Sequence, residues 1–130
     1  MPNVVFFSFT EADRGVVLTT KGRAVNSLYY NLNFRVKDLL KRWNTEDSGV
    51  IRRAITTSMQ GTSRTIVFVG ERTYLSRWVR EEVEMTLANK KTVYAIRLNG
   101  TNGIIPAVLT ENKISVYNWS EARFQELATK

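Results

Sequence analysis

One carboxylate in this sequence falls where a charge is costly. At about 100° of turn per residue, Leu75, Trp78, Val79, Val83, Thr86 and Leu87 line one stripe of a helix, and Glu82 lies in the middle of it. An ionised carboxylate buried without partners loses its hydration, so Glu82 must be paired, take up a proton or face a polar cavity. The last case would make it a site. The composition narrows the chemistry further. There is no cysteine and no histidine, so a thiolate nucleophile, a disulfide framework, a histidine-based triad and the usual zinc sites are excluded. Carboxylates, hydroxyls, amides, lysines and arginines remain. Among them Ser8, Thr10, Glu11 and Asp13 cluster around the end of an apolar run, where polar groups either cap a helix or hold a ligand.

The elements that would position these residues can be read in turn. VVFFSF, residues 4–9, is continuously apolar, as expected of a strand covered on both faces. Gly15 and Gly22 interrupt the next stretch, and Ala24, Val25, Leu28, Tyr29 and Leu32 suggest a helix near residues 23–33. FRVKDLL either continues at helical spacing or holds a short strand; its basic residues, with Lys41 and Arg42, read as a solvated face because no glycine-rich loop accompanies them. Val50, Ile51, Ala54, Ile55 and Met59 form the inward face of a helix that stops at Gly61. TIVFVG is a central parallel strand, GERTYLS leads into the helix of Glu82, and Ser76 is its candidate cap. TVYAIRL is a further strand ended by the turn-rich NGTNG. IIPAVL, broken by Pro106, is expected to be a covered loop or irregular edge. KISVYNW supplies an edge strand, and Ser120 caps a terminal helix with Phe124, Leu127 and Ala128 inward.

Strands alternating with helices predict an α/β fold: a flavodoxin-like, three-layer open sheet of about five mostly parallel strands in a single domain, residues 1–130. Ligands of such sheets bind beyond the carboxyl ends of the strands, where strand order reverses. A flavodoxin-like order sets Ser8, Phe9 and Thr10 beside Gly70, Glu71 and Arg72. The formal charge is +7, with ten Lys/Arg against five acids in residues 1–65 and nine against seven in residues 66–130. That excess permits an anionic partner and equally suits a basic solvated surface. No RNA-binding aromatic signature or helix-turn-helix pattern supports nucleic-acid binding. The apolar start is too short to span a membrane and lacks the basic lead of a signal peptide, so a soluble cytoplasmic protein is expected.

The segments VFFSFTEAD and SRWVREE together resemble the TIR-like family of bacterial antiphage proteins, closest to the Thoeris TIR subunit. The likeness rests on the strand ending Ser8-Phe9 with Asp13 after it, on TIVFVG, and on Trp78-Val79 followed by Glu82. It extends through TVYAIRL and VYNW. Trp-x-x-x-Glu is also the pattern of wider TIR domains that cleave NAD, whose motif glutamate is catalytic; the matching position is Glu82. Residues 14–44 have no clear correspondence.

The resemblance implies an NAD glycohydrolase or ADP-ribosyl cyclase. NAD is then the substrate, no cofactor or metal is needed, and a cyclic ADP-ribose-type signal passes to an effector of the same defence system. A phage-derived trigger and TIR self-assembly are further implied partners. Within this reading Ser8 bonds a ribose or phosphate and Phe9 stacks on a base or the nicotinamide ring; a strand-end hydroxyl and a core aromatic are the plain alternatives. Thr10 belongs to the same strand end, Arg72 pairs the pyrophosphate or sits in solvent, and Trp78 anchors Glu82. Asp13 caps a helix or meets substrate. Glu81 is expected to face solvent, within weak Arg77/Glu81 and Arg80/Glu84 pairs. A non-catalytic TIR-like interaction module is the competing reading. A response-regulator-like receiver ranks last, because the expected acidic pair and strand-end phosphoacceptor aspartate are lacking.

Overall fold

The computed structural model describes residues 3–17, 19, 34–38 and 48–129. Within them the elements run β1 (Asn3–Ser8), β2 (Phe34–Asp38), α1 (Ser48–Met59), β3 (Arg64–Val69), α2 (Arg77–Ala88), β4 (Thr92–Arg97), α3 (Ala107–Glu111), β5 (Val116–Tyr117) and α4 (Glu121–Thr129). The five strands form one sheet in the order β2-β1-β3-β4-β5, and every neighbouring pair is parallel. This is the flavodoxin-like order, with its switch point between β1 and β3. FRVKDLL, open between helix and strand, supplies β2. The helix expected near residues 23–33, together with Lys41 and Arg42, lies outside the described residues.

Apolar residues alternate between the two faces of the strands, as the period of two requires. Val5, Phe7, Ile66, Phe68 and Ile96 pack on one side against Phe124, Leu127 and Ala128 of α4. Phe7 and Phe68 meet edge to face with ring centroids 4.8 Å apart, and Phe124 adds a second such contact at 5.9 Å from Phe7; geometries of this kind add to plain burial. On the other side Val67, Val69, Val93 and Ala95 meet Val79 and Val83 of α2 and Val108 and Leu109 of α3. Beside them Phe6 packs with Ile51, Ile55 and Met59 of α1, against which Trp78 and Met85 of α2 rest. The sheet is thus covered on both faces, giving the expected three layers.

Two local expectations are corrected. IIPAVL is loop only as far as Pro106, and exposed rather than covered at Ile104 and Ile105; Pro106, with φ −55°, is the N-cap of α3, and the rest of the stretch is helix. Leu75 does not join the buried stripe of α2. It belongs to a 3-10 turn over Thr73–Leu75 that precedes the helix and is 64% exposed. The helix starts later because Ser76 caps it, its Oγ accepting the Val79 amide at 3.1 Å. The terminal helix is capped as expected, with the Arg123 amide donating to Ser120 Oγ at 3.0 Å. Among the described residues no helix is long and apolar enough to cross a membrane.

Candidate active site

Glu82 is the sixth residue of α2, and its face of the helix is set by packing. Val79, Val83 and Thr86 press onto the sheet while Trp78 and Met85 lean towards α1. Glu82 lies between these two sets and has no solvent exposure. One partner is the last residue of β1: Ser8 Oγ donates to Glu82 Oε1 at 2.7 Å, with both groups buried. Oε2 is buried as well. Ser8 also pairs in register with Val67 of β3. The contact therefore lies at the β1/β3 switch point, where folds of this order place their ligands. A carboxylate five positions into a helix lies about 7 to 8 Å along its axis, yet the strand end reaches it through this one side chain.

The neighbouring strand ends are tied together. Thr10 Oγ1 donates to Asp13 Oδ2 at 3.0 Å, so Asp13 engages the strand-end loop itself. A Cβ at Gly70 would collide with that carboxylate, and one at Gly103 would collide with the Gly70 carbonyl and Glu71 Cα. Glycine is needed at both places because the three loops touch. The Asn102 amide donates to Glu71 Oε1 at 2.9 Å, and the Gly70 amide to Thr73 Oγ1 at 2.8 Å. Thr10 is nearly buried in this seam, whereas Arg72 is exposed beside it.

Phe9 does not share the site. It is 1% exposed and packs with Val5, Phe7 and Val17 on the α4 side of the sheet. Strand alternation sends Ser8 and Phe9 to opposite faces, which corrects the expectation that both line one pocket. Trp78 is half-buried against the Phe6, Ile51, Ile55 and Met59 cluster, beside Glu82 on the same helix.

Glu81 is also corrected. It is 7% exposed, not solvent-facing, and accepts from Arg52 Nε of α1 at 2.8 Å. Arg52 extends to Glu84 at 3.5 Å, and Arg80 pairs with Glu84 at 2.8 Å as its i,i+4 spacing suggested. Glu81 shares a groove of about 480 Å³ with Tyr74, Leu75, Arg77, Arg80 and Val108. Glu82, about 100° further round α2 than Glu81, does not line that groove.

Sequence reasoning missed the hydroxyls behind Glu82. Thr86 Oγ1 donates to the Glu82 carbonyl at 2.7 Å and lies 2.7 Å from Thr65 Oγ1 of β3. A threonine four residues after the carboxylate, inside a helix, was the available signal. Among the described residues there is no group of three or more Asp or Glu arranged to hold a metal ion.

Comparison with known proteins bears on this arrangement. A family model described as Thoeris protein ThsB, TIR-like domain, matches residues 6–103. No curated protein matches the chain. The fold is similar to the crystal structure of the TIR domain of the Toll-related receptor TRR-2 from Hydra magnipapillata, with a TM-score of 0.58 and 13% identity over 95% of this chain and 90% of that one. The TIR domains of the activated Roq1 resistosome, which directly recognises the pathogen effector XopQ, align with a TM-score of 0.49 and 17% identity over 87% of this chain and 64% of that one. At such identities the first likeness speaks to the fold alone, and the second adds nothing to it. The family match covers the end of β1 and all of β3, α2 and β4, and with them Ser8 and Glu82; the chain belongs to the Thoeris ThsB TIR-like domain family.

Proposed function

We propose that this protein cleaves the bond between nicotinamide and ribose in NAD, with Glu82 as the catalytic carboxylate. The observation that carries the reading is the place of Glu82, held by Ser8 at 2.7 Å beside the switch point where sheets of this order bind ligands; the carboxylate is wholly buried, so the polar cavity that makes it a site has to open. Departure of nicotinamide leaves positive charge on the sugar, and a carboxylate fixed in a low-dielectric site stabilises that oxocarbenium-like state. The bond's electron pair leaves with the pyridinium nitrogen, so nicotinamide departs neutral. The second group that glycosidases use to protonate a poor leaving group is then unnecessary. This suits a chain without histidine. Capture of the sugar by an adenine nitrogen or ribose hydroxyl of the same molecule gives a cyclic ADP-ribose isomer; capture by water gives ADP-ribose. Ser8 orients the carboxylate, Trp78 supports the helix beneath it, and the exposed Arg72 is the cation offered to the pyrophosphate.

Membership of the Thoeris family supports a cyclic product read by an effector of the same antiphage system, in the cytoplasm. Glu82 has no exposure, so substrate reaches it only once the packing above the carboxylate opens. That property fits activation by a phage-derived trigger or by self-assembly. The test is product analysis after incubation with NAD: wild type releases nicotinamide and Glu82→Gln does not.

The second reading is a non-catalytic interaction module. Its support is that Glu82 is wholly buried and already holds a partner in Ser8, as a carboxylate retained for the fold would be. Under that reading Glu82→Gln disturbs stability or assembly while NAD stays intact in every condition.

A further inference from the structure

We propose that Thr86, held in turn by Thr65, is the positioning residue that fixes where Glu82 presents its carboxylate; the inference rests on the role given to Glu82 above. Thr65 and Thr86 have no solvent exposure. Thr86 Oγ1 donates to the Glu82 carbonyl at 2.7 Å and stands 2.7 Å from Thr65 Oγ1. A hydroxyl carries one proton. With that of Thr86 committed to the Glu82 carbonyl, Thr65 is the donor to Thr86, and the chain runs from β3 through Thr86 to the backbone of residue 82. Met59 Sδ of α1 lies 3.6 Å from the same Thr86 oxygen.

A hydroxyl is not needed to fill this space. The stripe already carries Val79 and Val83, and valine has the shape of threonine without its polar atom. Back-bonding to the residue four earlier weakens rather than strengthens a regular helix. The same bond back four residues is made by the exposed Thr56, Thr57 and Thr129; what sets Thr86 apart is its burial and its second tie, to Thr65 of β3. Ser8 of β1 ties the side chain of Glu82, and Thr65 of β3, through Thr86, ties its backbone. These strands are neighbours in register, so two adjacent strands hold one residue from both ends.

The test compares Thr86→Val, Thr86→Ser and Thr65→Val in the full chain by two measurements. The first is the 13C carboxyl resonance of Glu82 at one fixed pH, identified by its loss in Glu82→Gln, which needs no turnover. Thr86→Val is expected to shift it, Thr86→Ser to leave it at the wild-type position, and Thr65→Val to shift it in the same sense as Thr86→Val. The second is nicotinamide release. Thr86→Val is expected to lower kcat by about tenfold to a hundredfold, the scale of a small misplacement of a catalytic group, with KM unchanged and recovery in Thr86→Ser. A wild-type resonance in Thr86→Val, or a serine variant that melts like wild type without recovering it, overturns the positioning role. Should Thr86→Val fail to fold, Thr65→Val decides the question by the same resonance. A wild type that releases no nicotinamide overturns the proposed activity instead, and the carboxyl resonance still decides the tether.

Discussion

Removing the hydroxyl of Ser8 is the smallest change that reaches the candidate site. Ser8→Ala deletes one buried donor, 2.7 Å from Glu82 Oε1, and leaves every other contact of β1 in place. A hydrogen bond to a charged group contributes about 1.5–3 kcal/mol and one between neutral groups about 0.5–1.5 kcal/mol. Ser8→Ala is therefore expected to destabilise the wild type by about 2 kcal/mol, and Glu82→Gln, whose amide oxygen still accepts, by about 1 kcal/mol. The coupling between the two positions is then about 1 kcal/mol. With a urea dependence of about 2 kcal/mol per molar, Ser8→Ala alone moves the unfolding midpoint by about 1 M. Urea titrations of wild type, both single variants and the double variant, followed by tryptophan fluorescence, measure all four corners of the cycle. A coupling of less than about 0.3 kcal/mol, the scatter of independent sites, would refute an ionised carboxylate as the acceptor, and an equally small loss in Ser8→Ala alone would refute the contact as a feature of the folded protein in solution.

Two further substitutions test the frame around the site. Gly103→Ala sets a methyl group against the Gly70 carbonyl and Glu71 Cα, backbone that cannot swing away, so a loss of about 2 kcal/mol is expected in thermal unfolding. The nearest atoms to a methyl at Gly70 are those of the Asp13 carboxylate, a side chain, so Gly70→Ala should cost less; equal losses would show that the loops yield as readily as a side chain. Arg52→Ala removes the partner of Glu81, but Arg52 is 54% exposed, so a loss below about 1 kcal/mol that shrinks at high salt is expected. A loss undiminished in about 1 M salt, where the screening length is about 3 Å, would mean that Arg52 acts through packing.

The features of the site that the sequence discloses are those set by local period. Glu82 stands out because a helix repeats every 3.6 residues, and one charge inside an otherwise apolar and hydroxyl stripe is visible without any structure. Ser8 was legible as the polar end of an apolar strand. Its partner became visible only through the sheet order, since the two residues are far apart in the chain. Phe9 was misplaced for a physical reason: a parallel strand buried on both faces reads as unbroken apolar sequence, so the alternation that separates it from Ser8 leaves no mark. Glu81 looked solvent-facing because its cation comes from α1, a non-local partner that no spacing within α2 reveals. Pro106 looked like a break because a short apolar stretch does not tell an irregular edge from a one-turn helix, and proline suits the start of the latter. FRVKDLL was ambiguous for the same reason, and pairing with β1 resolved it.

Incubation with NAD followed by mass spectrometry of the products, wild type beside Glu82→Gln at matched folding, tests the central claim most directly. The wild type, given its activating condition, is expected to release nicotinamide with an equal amount of cyclic or linear ADP-ribose, and Glu82→Gln to release none. Equal turnover by the two proteins would contradict the role of Glu82, and intact NAD with both under every activating condition would contradict the activity itself.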